Sequence, residues 1–194
     1  MNAILRRRRA LMMRAAAAPS PVLPDEYQAV ECITSSYKAN NYVLTDVPVK
    51  DASRVVIDGT VYSGSDNCAS LCFYQASNNA MRVGYFNNST YNQGYTCRPS
   101  VAMGDSETGT FTFSRNAPHA TETASLYLFG GPTGNTARSR VLSMNSAAIY
   151  DDNSTLQFRG VPVYRKSDNK MGLYDFVGRA FHEAVGTFTK GGNV

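Results

Sequence analysis

The sequence has only two histidines, His119 and His182, among its 194 residues. A hydrolase built on a nucleophile, a histidine and an orienting acid therefore has few candidate bases, and the sequence has no nucleophile-elbow motif. Glycoside hydrolysis is not indicated either. None of the glutamates stands in the Glu-x-Asp-x-x-Glu type of spacing that brings two carboxylates together on one strand face. We therefore predict no catalytic residue and a protein that is not an enzyme.

Long hydrophobic runs are also missing from the sequence. No apolar stretch approaches the roughly 18–20 residues that a membrane-spanning helix needs, so we predict no membrane partner. Near the start of the chain, Arg14 interrupts an apolar stretch that covers only residues 10–13. That stretch is too short for the apolar core of a secretory signal.

Acidic residues are absent before Asp25, whereas five arginines precede it. Without those arginines the chain has 14 basic residues against 15 acidic ones, so the net charge of +4 originates in the first residues. The rest of the chain is close to neutral and has no general attraction for a polyanion.

Residues 1–22 form a basic arm with a proline-rich connector at its end. Good helix formers fill residues 3–18, and Pro19 and Pro21 then stop any helix. A lone helix of this length is marginal in water and needs a partner surface. We predict an anchoring arm, with a basic terminus that has no fixed partner as the alternative. The predicted anchoring residues are Arg6, Arg7, Arg8, Arg9, Leu11, Met12, Met13 and Arg14.

Residues 23–194 have the pattern of an all-β domain. Short runs rich in Val, Ile, Thr, Tyr and Phe alternate with Gly, Asn, Asp and Ser at the spacing of an antiparallel β-sandwich. Phe111 and Phe113 alternate with Thr110 and Thr112, which predicts one buried and one solvated face. The dipeptide Asp58-Gly59 predicts a tight hairpin turn.

The stretch YFNNSTYNQGYTCR, residues 85–98, is the best candidate for ligand binding. Flat aromatic rings beside amide donors and acceptors suit a polar ligand with apolar faces, such as a sugar, and also suit adaptable protein contacts. The alternative is an exposed hairpin whose tyrosines are half-buried against the sheet. The candidate residues are Tyr85, Asn87, Tyr91, Asn92 and Tyr95.

The four cysteines, Cys32, Cys68, Cys72 and Cys97, have no histidine nearby and no zinc-ribbon spacing. We interpret them as small buried thiols and predict no metal site from them.

Both ends of the β-domain resemble a known family. LPDEYQAVECITSS (residues 23–36) and GLYDFVGRAFHEAVGTFTKG (residues 172–191) are similar to the opening and closing segments of concanavalin-A-like, laminin-G-like jelly rolls. These domains are abundant in bacteriophages and prophages of gut bacteria. SAAIYDDNSTLQFRGVPVYRKSDNKMGLYD (residues 146–175) resembles the strands that precede the closing segment. The resemblance implies a jelly-roll sandwich in which the opening and closing segments are neighbours.

The resemblance also implies roles for single residues. Leu173, Phe176, Phe181 and Phe188 are expected in the core, and Gly172, Gly186 and Gly191 are expected in turns. Asp175 is expected to accept backbone N–H bonds in a turn. Cys32 replaces an aromatic residue of the relatives and is expected in the core. His182 stands where the relatives carry tyrosine, which argues against a catalytic role.

Calcium is the usual cofactor of laminin-G-like domains, and Asp105 or the pair Asp151 and Asp152 are the candidate ligands. No loop has a dense acidic pattern, and ordinary turn aspartates explain these residues as well. We predict no cofactor.

The arm sequence RRRRALMMR resembles short N-termini of gut-phage virion proteins. The resemblance implies a virion protein: a capsid decoration, head-fibre or tail-associated subunit, whose arm inserts among capsid, portal or tail subunits. It also implies association of copies, as in a trimer, and display of the jelly roll, with a host-surface glycan as a candidate partner. The alternatives are a free-standing carbohydrate-binding lectin and a virion protein that contacts nucleic acid through the arm.

Overall fold

The computed structural model describes residues 22–36, 40–48, 51–62, 71–72, 82–83, 95–96, 106–115, 125–130 and 141–194. These residues form strands joined by turns, and none of them lies in an α-helix. The strands are β1 (Tyr27–Ala29), β2 (Ile33–Ser36), β3 (Tyr42–Pro48), β4 (Arg54–Tyr62), β5 (Leu71–Cys72), β6 (Arg82–Val83), β7 (Tyr95–Thr96), β8 (Ser106–Arg115), β9 (Ser125–Phe129), β10 (Val141–Tyr150), β11 (Leu156–Arg165), β12 (Met171–Asp175), β13 (Ala180–Val185) and β14 (Thr189–Lys190).

Twelve of these strands form one antiparallel sheet. Its main order is β7-β8-β4-β10-β11-β12-β13-β3-β9, while β1 pairs with β11, β2 pairs with β10, and β14 pairs with β2. β5 and β6 pair with each other. The predicted all-β, antiparallel class is confirmed, whereas the jelly-roll topology and the helical arm stay predictions.

The sheet curls so that its two halves share one hydrophobic core. Alternate residues of β4 are buried, and Val55 and Ile57 from this strand meet Val43 and Leu128 from the far end of the sheet in the same cluster. Each such side chain contributes about 1.5–3 kcal/mol when it is fully buried. The core therefore holds the two halves of the sheet against each other.

The opening and closing segments of the β-domain lie side by side, as the sequence predicts. Thr189 and Lys190 pair with Thr34 and Ile33, and the amide of Glu31 donates to the carbonyl of Gly192 at 2.8 Å. Backbone hydrogen bonds therefore join the two ends of the described chain.

The predicted hairpin turn at Asp58-Gly59 is wrong, because both residues lie inside β4 between β8 and β10. The register of β10 shifts beside them, between Met144 and Ser146. A side chain on Gly59 would overlap the carbonyl oxygen of Ser143. This glycine therefore permits a close approach of two strands rather than a turn.

Gly172 was also expected in a turn but lies in β12, opposite Glu183 of β13. Gly186 does adopt a backbone conformation that favours glycine, with φ of +101°. The two glycines therefore serve different purposes, close strand approach and a change of chain direction.

One half of the sheet presents hydroxyl groups to solvent. A single row crosses five strands, with Thr189 opposite Thr34, Thr34 opposite Ser143, Ser143 opposite Thr60, and Thr60 opposite Thr108. Neighbouring hydroxyls bond in pairs, Thr34 to Ser143 at 2.6 Å and Thr60 to Thr108 at 2.9 Å. We call this surface the hydroxyl face. It is the solvated face that the alternation of Thr110 and Thr112 with the buried Phe111 predicts.

Candidate functional site

The other half of the sheet presents aromatic rings on the side away from the core. Leu173 of β12 and His182 of β13 are paired and both buried, so their neighbours Tyr174 and Phe181 project from the opposite side. The same alternation in β3 and β9 places Tyr42 and Tyr127 on this side, because Val43 and Leu128 are in the core. We call this surface the aromatic face, consisting of Tyr27, Tyr42, Tyr127, Tyr174, Phe176 and Phe181.

Four of these rings form a continuous cluster. Tyr27 stacks on Phe181 with centroids 5.3 Å apart and lies 5.2 Å from Tyr174, whose edge contact with Phe176 is 5.3 Å. Val163 is completely buried, although it is not part of the core cluster. A second apolar layer has therefore formed on the outer side of β11 and β12.

Gly172 provides the space for this layer. A methyl group at this position would lie 2.8 Å from the ring of Phe181 and would overlap the carbonyl oxygen of His182. Because glycine lacks a side chain, Phe181 can lie directly over β12 and reach Tyr27.

A network of charges borders the cluster. Arg165 sits above the ring of Phe181, 5.1 Å from its centroid, and donates from Nε and Nη2 to the two carboxylate oxygens of Asp168 at 3.0 and 2.5 Å. Lys170 Nζ donates to Glu183 Oε1 at 2.7 Å, and Arg165 Nη2 lies 3.8 Å from Glu183 Oε2. The guanidinium is therefore held in a fixed orientation beside the rings.

Asp168 is expected to titrate far below an ordinary aspartate. The hydrogen bond from Arg165 lowers the pKa of Asp168 from 3.8 to about 2. Because the folded pKa is lowered, the contact stabilises the fold above the ordinary value, and this stabilisation is lost as pH falls towards 2. Carboxyl-detected NMR titration of the whole protein measures this value directly. In Arg165→Gln the pKa of Asp168 should rise towards 3.8, and an Asp168 that titrates near 3.8 in the unmodified protein would contradict the bidentate geometry.

Two tyrosines of the face have raised pKa values. Burial, together with the hydrogen bond that the Tyr27 hydroxyl donates to the Glu26 carboxylate, raises the pKa of Tyr27. Burial also raises the pKa of Tyr127, whose ring contacts Tyr42 edge-on at 5.1 Å. Both tyrosines are therefore neutral at neutral pH.

Two buried polar residues support the face from beneath. Asp175 accepts N–H bonds from Arg159, Val177 and Gly178 at 2.8–2.9 Å, which confirms its predicted role in the turn between β12 and β13. His182 Nδ1 lies 2.9 Å from the carbonyl oxygen of Leu44, and its ring contacts Phe158. This histidine joins β13 to β3 inside the protein, so its contacts are structural.

The prediction that Phe176 and Phe181 belong to the core is wrong, because both are half-buried on the aromatic face. Leu173 and Phe188 do belong to the core. Cys32 is a free thiol and half-buried outside the core cluster. Phe176 and Phe181 were assigned to the wrong side because neighbouring residues of this segment, such as Leu173 and Tyr174, are both apolar. The sequence therefore does not show which side of the strand faces the core.

Most residues of the two predicted sites lie outside the described part of the chain. This holds for the anchoring residues Arg6 to Arg9, Leu11 to Met13 and Arg14, and for Tyr85, Asn87, Tyr91 and Asn92. The backbone of Tyr95 lies in β7, opposite Arg115 of β8. Both sites therefore stay predictions. The signal for the aromatic face was in the segment GLYDFVGRAF, whose two phenylalanines, Phe176 and Phe181, the resemblance assigned to the core.

The candidate calcium ligands are only partly described. Asp151 Oδ1 accepts the amides of Asn153 and Thr155, and Oδ2 accepts from the side chain of Gln157, so this aspartate closes a turn. Asp105 lies outside the described residues. Among the residues that are described, no group of three or more His, Cys, Asp or Glu side chains is placed to hold a metal ion.

Likewise, the described segments contain no helix long and apolar enough to cross a bilayer.

Comparisons with protein-family models, with curated proteins and with solved structures each give no match to this chain. The interpretation of the aromatic face therefore depends on its chemistry. Rings held in a fixed layer beside an oriented guanidinium favour recognition of another surface, because tyrosine, phenylalanine and arginine are enriched where proteins contact one another.

Proposed function

We propose that this chain is a structural subunit of a bacteriophage virion, a capsid decoration, head-fibre or tail-associated protein. Its basic arm anchors the subunit among capsid, portal or tail proteins, and its β-domain is displayed outward. The observation that carries the proposal is the division of charge, with five arginines and no acid before Asp25 and a nearly neutral remainder. Such a division separates an attachment segment from a display segment.

The position where the arm joins the β-domain supports this division. Tyr27 of β1 pairs with Arg165 of β11, and the neighbouring amide of Lys166 donates to the carbonyl of Glu26 at 2.9 Å. The arm therefore leaves from a strand that is fixed in the sheet, so a force on the arm is transmitted to the whole domain.

The chemistry of the arm suggests what it binds. Arginine forms bidentate bonds with carboxylates, and Leu11, Met12 and Met13 can fill an apolar groove on a receiving subunit. Lysine keeps the charge but lacks the planar fork. Replacing Arg6 to Arg9 by lysine should therefore weaken anchoring although the charge of the arm is unchanged.

Deletion of residues 1–18 is the direct test. We expect the deleted protein to be missing from purified particles, while the unmodified protein is present in a fixed copy number by mass spectrometry. The isolated, deleted protein should keep the circular dichroism and melting temperature of the full chain, which separates loss of anchoring from loss of folding. Incorporation at the unmodified level would refute the anchoring role.

Two alternatives have different signatures. A lectin would bind glycans through Tyr85, Tyr91 or Tyr95, and binding on a glycan array would then be lost in Tyr91→Ala. A nucleic-acid-binding arm would bind DNA in a filter assay with an affinity that falls steeply as salt rises. No binding in the glycan array or the DNA filter assay, together with loss of particle incorporation on deletion, supports protein anchoring.

A further inference from the structure

The aromatic face is bordered by apolar side chains that water reaches. Val177, in the turn after β12, is 44% exposed, and Val185, at the end of β13, is 39% exposed. Val22 and Val194 are also exposed, and Val194 is hydrogen-bonded to Ala29 at the β1 edge. Among the described residues, the remaining exposed large hydrophobic side chain is Tyr62 on the other half of the sheet. Val177 and Val185 therefore add exposed apolar surface next to Phe176 and to the β13 edge of the aromatic face.

The charges on this side have both signs. The Asp46 side chain, on β3, is 85% exposed, and its carboxylate lies 4.0 Å from His182 Nδ1. Lys170, at the opposite side of the face, is 49% exposed and is paired with Glu183. A surface that carries separated charges of opposite sign can complement a second copy of itself, with Asp46 of one copy near Lys170 of the other.

The net charge of the β-domain favours the same partner. Because the chain outside the arm is nearly neutral, two copies do not repel each other strongly. A partner surface that is strongly negative would leave Asp46 and Glu183 without an opposite charge. A strongly positive partner surface would do the same to Arg165 and Lys170.

We propose that the aromatic face is the contact surface between copies of this chain. Six strands, β1, β11, β12, β13, β3 and β9, contribute to it, so it is about 24 Å wide at about 4.8 Å between strands. A standard interface buries about 800 Å² on each partner, a patch roughly 28 Å across, so the width of the face is close to that of a standard interface. We expect moderate affinity from this contact on its own.

The inference rests on the proposed function in one respect, the role of the arms. Tyr27, a member of the aromatic cluster, closely follows the arm in sequence. In two copies that contact each other through this face, the two arms therefore begin close together. When the arm of one copy is bound to the particle, the arm of the neighbouring copy is held close to its own binding site. Its effective concentration at that site is raised, so a moderate contact between copies becomes a firm attachment.

Sedimentation of the full chain between about 1 and 100 μM tests the proposal. We expect reversible association of the unmodified protein. Val177→Glu combined with Val185→Glu should weaken it by about 100-fold or more, because the contact would bury two unpaired charges. The matched control is Tyr62→Glu, which changes a residue of similar exposure, 42%, outside the face and should leave association unchanged.

Hydrogen exchange of the unmodified chain at low and high concentration gives a second measurement that does not depend on a variant. Added protection at high concentration should be confined to the strands of the aromatic face, residues 22–29, 42–48, 125–129, 156–165 and 171–185. A monomer at 100 μM, association that persists in the double variant, or protection that appears only with a glycan or another virion protein would each overturn the inference. None of these outcomes affects the anchoring proposal, which is decided by incorporation of the deleted chain into particles.

Discussion

Replacing Asp175 with alanine is expected to lower the free energy of unfolding by about 3 kcal/mol, one of the two largest effects that we predict. The carboxylate is 4% exposed and accepts three backbone amides, from Arg159, Val177 and Gly178. Alanine removes all three acceptor contacts, and each buried amide that loses its partner costs about 1–3 kcal/mol before the turn relaxes. The turn that joins β12 to β13 loses its internal support.

Urea denaturation followed by circular dichroism measures this change, and the melting temperature should fall by roughly 6–12 °C. The matched control is Asp175→Asn. Its amide oxygen can still accept the bonds from Arg159 and Val177, while its NH2 group faces the amide of Gly178, so we expect roughly half of the loss. If alanine costs less than about 0.5 kcal/mol, as a surface substitution does, the carboxylate does not support this turn.

Gly172→Ala is expected to cost about 2–3 kcal/mol, although alanine stabilises most strand positions relative to glycine. The added methyl group would overlap the carbonyl oxygen of His182 and press on the ring of Phe181. Relief requires β12 and β13 to separate or Phe181 to leave the aromatic cluster, and overpacking of this kind costs about 1–3 kcal/mol or more. The loss should also appear as faster hydrogen exchange in β12 and β13.

Gly109→Ala provides the comparison. Gly109 also lies in a strand, β8, but a methyl group there meets nothing within 4 Å. This substitution should leave stability unchanged or raise it by up to about 1 kcal/mol, because alanine restricts the unfolded chain. Equal stability of the two variants would show that the close approach at Gly172 does not exist in solution.

Local pattern predicted the features that depend on local chemistry. Alternation of threonine and phenylalanine in β8 predicted one buried and one solvated face, and Phe111 is buried while Thr110 and Thr112 are exposed. The all-β class followed from the same kind of signal. The side-by-side position of the opening and closing segments, and the role of Asp175 as an acceptor of backbone amides in a turn, came from the resemblance of the two ends to known jelly rolls.

Features that depend on distant partners were not predicted. Asp58-Gly59 has the composition of a turn, but β8 and β10 pair with it from both sides and keep it in a strand. Tyr174 and Phe181 belong to segments that are apolar on both faces, so the sequence could not show that a second layer covers β12. The aromatic face was missed for this reason, since its members come from β1, β3, β9, β12 and β13, which only the fold brings together.

The pairing of the first three strands determines the order in which the protein can be completed during translation. β1 pairs with β11, β2 with β10 and β14, and β3 with β9 and β13, so every partner of the first three strands lies at or after Ser125. At roughly 5–20 residues per second, these strands leave the ribosome several seconds or more before their partners exist. During that interval their edges are open to other nascent chains, and the long sequence separation slows closure. Chaperone dependence should therefore be greatest for this early segment.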